Sequence, residues 1–544
     1  MQTPRMSRRR LLAIGTVTGI AGLGTLLTAC GQSAAPASPT AASAGAAATS
    51  APAPTTASAQ PTQAPAATAA PAATTAAQPT TAAQPTTAPA QQNTAGTSAF
   101  SGTLTMWVQF YTPSDNLTPT PQNPQPLNGV RKVADSYQEQ YPKVKINFVK
   151  SPANQNQRVW TETVQAGGTA PDIMWQHSFQ IDDDVKKNWW VSLDSYMEQP
   201  NPYIKSGDGS QHWIDEFYPT PTGSKKSIDG HLYVVPMDLV TTFFFYNKEA
   251  YTKAGVKAPT TWAEWFDAQK KLKDAGIIPN MKPGWSDSQV EQMIFANLDD
   301  KIHAGGGPVP RKDVECAIAN KVWDFTTAQG KDYLTVLKNM TPYFTSDWAA
   351  TGTSADYFPR KFSTGQVATF EDGTWRMGAL KHDPLLKFEW GTFFCPTLTT
   401  DTVATATGQP ANPIGGATAA QWAITTKAQK EGRLDLAVDV LRFFSAPANA
   451  SVFIGEADSF LPNIKGVDVS EDLKDPLKRI TTGYGETAMF VYGDKQSQET
   501  GTKVGTITTN LRLGKLTVDQ AQQQIQQTQL DGAKADISKL GWTC

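Results

Sequence analysis

Several tryptophans stand beside amide, imidazole or carboxylate side chains at places where strands end. Trp107 and Gln109 close an alternating β-rich segment, Thr103 to Val108. Trp175, Gln176 and His177 follow the Pro171-Asp172-Ile173-Met174 segment. Trp375 follows a strand and a turn, Glu371-Asp372-Gly373, whose two acids flank it. Asp238 follows Pro236, and Gly415-Gly416 would let backbone approach a small molecule closely. Flat apolar rings with fixed polar partners suit the C–H faces and hydroxyls of a sugar. Carboxylates add charge-assisted hydrogen bonds to hydroxyls.

Other chemistries lack their motifs. There is no HExxH, no GxSxG and no phosphate loop, and Gly305-Gly306-Gly307 lacks the Lys-Ser/Thr ending. Many acids are present, but no spacing singles out the carboxylate pair of a glycoside hydrolase. An enzyme is therefore the minor reading, with no catalytic residue, cofactor or metal site assigned. Asp182-Asp183-Asp184 reads as a solvated helix start rather than a metal site. Pro171-Asp172 reads as structural. The formal charge is −2 with no basic stripe, so nucleic acid is not an expected partner.

The elements that must position these residues alternate. Strand signals at 103–108 and 144–149 bracket a helical pattern from Gly129 to Tyr141 that puts Val130, Val133, Ala134 and Tyr137 on one face. A helix around Val159 to Ala166 leads to the strand before Trp175. This order is the βαβ signature of a mostly parallel sheet. Strands are expected at 232–236, 241–246 and 367–370, the last broken by Glu371-Asp372-Gly373. Phe243, Phe244 and Phe245 are expected inside a sheet. Helices are expected from Asn247 to Gly255, after the Thr260-Thr261 N-cap, and from Leu434 to Phe444.

The first hundred residues differ. Arg5, Arg8, Arg9 and Arg10 precede an apolar run, Leu11 to Leu27, which ends in Leu27-Thr28-Ala29-Cys30-Gly31. This reads as a secretory leader over 1–29, with a transmembrane anchor as the alternative. The ending resembles a bacterial lipobox, which implies lipid on Cys30 and anchoring to the membrane. Ser7-Arg8-Arg9-Arg10-Leu11-Leu12 resembles a twin-arginine export motif. From 32 to 99 the chain is almost entirely Ala, Thr, Pro, Gln and Ser without charge or Trp, a composition that cannot offset the entropy of ordering. As a coil it would reach roughly 40–50 Å. Residues 100–544 hold all 15 Trp and exceed the size of a single core, so two lobes are expected. One disulfide is expected among Cys316, Cys395 and Cys544, with the pair open.

The order of short blocks resembles the extracellular solute-binding proteins of sugar-type ABC importers, the group of maltodextrin-binding protein. The blocks are Gly168 to Ile173, Asp229 to Pro236, Phe245-Tyr246-Asn247-Lys248 with Ala254-Gly255, Pro259 to Trp262, Phe362 to Ala368, Gly373-Thr374-Trp375, Gly415-Gly416, Leu461-Pro462 and Gly514 to Ala521. The resemblance implies an α/β, two-lobed periplasmic-binding-protein-like fold with a multi-strand hinge and a ligand cleft between the lobes. The first lobe is expected at about 100–239 plus 415–448 and the second at about 243–414 plus 449–544, with the first crossing near Leu239 to Thr242. It implies that Trp375 stacks on sugar, that Trp285 lies on a loop facing the cleft, and that Gly416 approaches the ligand. Val240 stands where maltodextrin-binding protein carries an acid, so the sugar would be held differently. The expected function is capture of a carbohydrate, a di- or oligosaccharide first and a monosaccharide or polyol phosphate second. The expected partners are the permease subunits of an ABC importer. The expected setting is outside the cytoplasm, as a lipid-anchored monomer.

Overall fold

Alternating apolar segments become strands, and the strands sort into two sheets joined by a ribbon. The computed structural model describes residues 100–544 except 121–122, 153–155, 178–179, 224, 228, 282–286, 299–310, 350–356, 411–418 and 482–496. The expected leader at 1–29, Cys30, the 32–99 segment, Trp285 and Gly416 lie outside the described residues. The strands are β1 Gly102–Trp107, β2 Val144–Phe148, β3 Ile173–Trp175, β4 Val234–Pro236, β5 Asp238–Leu239, β6 Thr242–Asn247, β7 Asn280–Met281, β8 Thr369–Gly373, β9 Trp390–Phe393, β10 Gln421–Ile424 and β11 Leu461–Pro462.

The first sheet has the order β2-β1-β3-β10-β4, the second β7-β8-β6-β9, and β5 pairs with β11 between them. β1 runs parallel to β2 and β3, while β10 is antiparallel to β3 and β4. Helix Gly129–Gln140 links β1 to β2 and buries Val130, Val133, Ala134 and Tyr137, the face its spacing predicts. Helix Gln157–Ala166 links β2 to β3. These are the right elements for crossover connections in a parallel sheet.

Local signals set the helix ends. Asn247 caps helix Lys248–Ala254, which stops at Gly255 with φ +66°. Thr261 and Glu264 form a capping box on helix Trp262–Asp274. Two strand expectations change. β8 does not break at Glu371 but continues through Gly373, because β6 offers partners as far as Thr242. Leu232 and Tyr233 precede β4, whose pairing with β10 begins at Val234. The acid run also differs: Asp184 is buried, 2.7 Å from the Arg158 guanidinium, because helix Gln157–Ala166 brings that cation over it.

The first core gathers Met106, Trp107, Ile173, Val235, Trp422, Phe444 and their neighbours around the first sheet. The second sheet has a core on each face. Phe244 packs with Trp262 and Trp265 on one side, while Phe243, Phe245 and Phe370 face the other. This is the alternation a strand imposes on three consecutive phenylalanines. The expected boundary at 449 moves: Ala450, Phe453, Ile454 and Ala457 sit in the first core. The cause is close packing of helix Pro447–Ala457 on helix Gly129–Gln140, where a Cβ on Gly129 would come within 2.7 Å of Phe453 Cα.

Cys316 on helix Arg311–Ala319 bonds to Cys544, beyond helix Val518–Leu540, with Cα atoms 5.3 Å apart. Cys395 is free and buried. The bond closes a loop of sequence separation 228, and chain entropy makes such a closure worth about 3–5 kcal/mol. Reduction, or Cys316→Ser with Cys544→Ser, is therefore expected to lower the urea midpoint by a corresponding free energy. An unchanged midpoint would show that the bond does not constrain the unfolded chain.

Candidate functional site

Parallel strands end together, so β1 and β3 deliver their last side chains to one edge of the first sheet. Trp107 is almost fully buried, with its ring centroid 4.5 Å from Trp160 and 5.8 Å from Trp175, both edge-on. Trp175 is partly exposed and meets the His177 ring at 5.2 Å. Burial first, then Arg158 and Lys225, push the His177 imidazole down to about 4. At neutral pH it is therefore uncharged, with one donor and one acceptor nitrogen.

Gln109 takes a left-handed backbone, φ +50°, and its side-chain oxygen accepts the Phe110 N–H at 2.5 Å. This turn opens a cavity of about 500 Å³ whose walls include Trp107, Gln109, Asn116, Asn123, Lys150 and Gln157. Asn116 and Asn123 are each braced from one side, by Thr118 N–H at 2.9 Å and by Ser114 Oγ at 3.3 Å. Lys150 pairs with Asp115 at the cavity wall. Sequence reading missed these wall residues because they lie in irregular chain. The available signal was the length of the segment from Thr112 to Asn128, which is long for a strand-to-helix connection.

Two expected ligand contacts are committed elsewhere. Gln176 is buried and exchanges bonds with β10: its N–H donates to the Gln421 carbonyl at 3.0 Å, and Gln421 Nε2 donates to its carbonyl at 2.8 Å. Its own Nε2 donates to the His177 carbonyl at 2.6 Å. It closes the sheet edge under the site rather than lining the cavity. Asp238 is also buried. It accepts Tyr111 Oη–H at 2.8 Å and the N–H groups of Ala419 and Ala420, both at 2.9 Å.

From the second sheet, Glu371 is buried opposite Phe244, and its charge adds to burial in pushing the Cys395 thiol up. Asp372 accepts Arg376 Nε at 2.8 Å and the Gly373 N–H at 2.9 Å, so it braces the turn that follows β8. That turn, Thr374–Arg376, is tied to the interlobe chain by Thr374 N–H to the Thr241 carbonyl at 2.9 Å. Trp375 folds back over Gly373 and packs against the first core, as Trp175 also does. The structure thus brings Trp107, Gln109, Trp175 and His177 to one edge, and carries Trp375 from the second sheet onto the flank of the same core.

A Cβ at Gly373 would lie 2.1 Å from the Trp375 ring. Gly373→Ala must therefore displace that ring, at a cost of about 1–3 kcal/mol. A changed tryptophan emission together with a lower urea midpoint is expected. Unaltered emission and stability would place the ring away from Gly373.

The comparisons with known proteins follow this geometry. The family model described as bacterial extracellular solute-binding protein matches residues 132–480. A probable sugar-binding periplasmic protein of Rhizobium meliloti is 28% identical over 139 residues, 25% of this chain and 31% of that protein. The sn-glycerol-3-phosphate-binding periplasmic protein of Shigella flexneri is 27% identical over 247 residues, 45% of this chain and 52% of that protein. The chain thus spans about a third to a half of the length of these curated relatives. The GacH receptor of Streptomyces glaucescens, solved unliganded and with acarbose, has a TM-score of 0.57 at 18% identity, covering 82% of this chain and 100% of that one. A structure from work on xylan utilization by Caldanaerobius polysaccharolyticus has a TM-score of 0.58 at 20% identity, covering 78% and 99%. At these identities the solved structures establish a shared fold, two α/β lobes joined by a hinge. With the family model running from within the first crossover helix through strands β2 to β11, the hinge ribbon among them, the chain belongs to the bacterial extracellular solute-binding proteins.

Proposed function

We propose that this chain captures a carbohydrate, a di- or oligosaccharide first, outside the cytoplasm and delivers it to the permease of an ABC importer. The observation that carries the reading is the cavity beside the β1 edge, where the partly exposed Phe110 ring adjoins the amides of Gln109, Asn116, Asn123 and Gln157. Aromatic surface with amide donors and acceptors matches the two demands of a sugar. Trp175, His177 and Trp375 would extend that surface, with Trp285 and Gly416 as further contacts. The sugar-binding relative and the acarbose-bound neighbour support the choice. Membership of a family of binding proteins supports release of the solute unchanged rather than cleavage.

Lys150 on the cavity wall, with a glycerol-phosphate-binding relative, favours a polyol phosphate as the second reading. Titration of the purified full chain with mono- and oligosaccharides and with sn-glycerol 3-phosphate, by calorimetry and tryptophan fluorescence, separates the two. Saturable binding of a saccharide, weakened about tenfold or more (roughly 1.4 kcal/mol) in Trp375→Ala, is expected. Binding of the phosphate alone would select the second reading, and binding of neither would remove both.

Lipid on Cys30 would hold the domain at the membrane through the 32–99 tether, and the Cys316–Cys544 bond suits an oxidising exterior. Cys30→Ser is expected to abolish incorporation of labelled palmitate and to shift the protein from the membrane pellet to the soluble fraction. Retention in the pellet without label would point to anchoring by the apolar leader instead.

A further inference from the structure

Lys186 ends helix Ile181–Lys186, which follows β3 and buries Ile181 in the first core. Its Nζ donates to the Leu540 carbonyl at 2.9 Å, across a sequence separation of 354. Leu540 ends helix Val518–Leu540, whose Ala521, Ile525 and Ala533 lie in the core of the second sheet. The bond therefore joins the two lobes, and neither residue stands near the β5–β11 ribbon in sequence. Other interlobe contacts do. Gly378 N–H donates to Ser459 Oγ at 2.8 Å and Lys381 Nζ to Asp458 at 2.7 Å, just before β11 in the chain. A turn about the ribbon moves points beside it least and separates distant ones most. Of these three contacts, the one from Lys186 to Leu540 is the one that opening must break.

The acceptor suits a cation. Gly541, at φ +67°, turns the chain so that its own N–H and that of Trp542 serve the Ser538 and Ile537 carbonyls. The Leu540 carbonyl lies beyond that pairing, at the negative end of a 23-residue helix, where positive charge is favoured. Helix ends fray unless they are tied down, and this one is tied to a single neighbour, helix Arg311–Ala319. Arg311 on that helix meets Asp536 at 2.7 Å and lies 5.7 Å from the Trp542 ring centroid. Cys316 on the same helix is bonded to Cys544. The last turn, and with it the Leu540 carbonyl, is thus fixed to the second lobe on both sides of Leu540.

We propose that the C-terminal turn is a latch between the lobes: Lys186 of the first lobe grips the Leu540 carbonyl of the second, and the Cys316–Cys544 bond keeps that carbonyl within reach. That lobe closure serves solute capture rests on the function proposed above; the contact itself does not.

Pulsed electron paramagnetic resonance on the full chain, without added solute, tests this. Maleimide nitroxides at Ser136→Cys and Lys270→Cys, exposed positions on a helix of each lobe, report the interlobe distance in a Cys30→Ser background. The chain with Lys186 is expected to show a close and a far population. Lys186→Met keeps the stem and removes the charge, and is expected to lower the close-to-far ratio about two- to fivefold. Lys186→Arg is expected to keep most of it. Cys316→Ser with Cys544→Ser is expected to lower the ratio in the same direction, and Lys186→Met added to that pair is expected to lower it no further than Lys186→Met alone. A single far population with Lys186 in place, or an unchanged distribution in Lys186→Met, would overturn the latch. An unchanged ratio in the serine pair, or losses that add, would overturn the part given to the disulfide. Should the serine pair not fold, Trp542→Ala, which removes another tie of the same turn, takes its place in the comparison. Failure of every saccharide to bind would remove the carbohydrate reading and leave these ratios as they are.

Discussion

Holding the chain in register where it crosses between its two sheets is the constraint from which the other features follow. A backbone passing through a buried hinge carries polar groups that water cannot reach, and each must find a partner within the protein. Asp238 and Asn463 supply those partners, one for the amides entering β10 and one for the carbonyls leaving β4. Their side chains do at the hinge what a sheet ladder does elsewhere. The β5–β11 ribbon is only two residues wide in each strand, so without these bonds little would fix its register.

The arrangement decides what the candidate site can be. The edge of the first sheet is rigid: Gln176 and Gln421 lock β3 to β10 beneath it, and Asp172 holds the base of β3 by accepting Thr105 N–H at 2.8 Å and Arg433 Nε at 3.0 Å. Trp107 and Trp175 stand on that platform. Trp375 comes from the other sheet, and its turn is bonded to the hinge segment through Thr241. A small rotation about the hinge would therefore change how Trp375 meets the first lobe while leaving the platform intact.

Polar residues near the site divide by what they are asked to hold. Asp372, Asp238 and Gln176 satisfy neighbouring backbone or a cation; Gln109 and the asparagines of the long β1 connection line the cavity. Buried Glu216 shows the same commitment away from the site. It accepts from Trp213 Nε1 at 2.8 Å and Asn201 Nδ2 at 2.9 Å, and burial pushes it up to about 8. An acid beside a strand end is thus as apt to complete a fold as to grip a ligand.

Much of this was legible in the sequence because it depends on local rules. Periodicity marked the buried face of helix Gly129–Gln140, Asn247 and Thr261 marked helix starts, and the order of strand and helix segments implied the parallel β2-β1-β3 part of the first sheet, though not the antiparallel β10 that the chain adds later. The family blocks added the two-lobed plan. What tertiary structure decided were pairings between residues far apart in the chain: Cys316 with Cys544, Asp238 with Ala419 and Ala420, Arg158 with Asp184, and helix Pro447–Ala457 with the first core. A residue's type states what it can bond, but which partner reaches it depends on the packing of whole elements. For the same reason the sequence by itself determined that tryptophans and amides would gather at strand ends, and only the folded chain decided which of their polar neighbours face a cavity and which are used up holding the hinge.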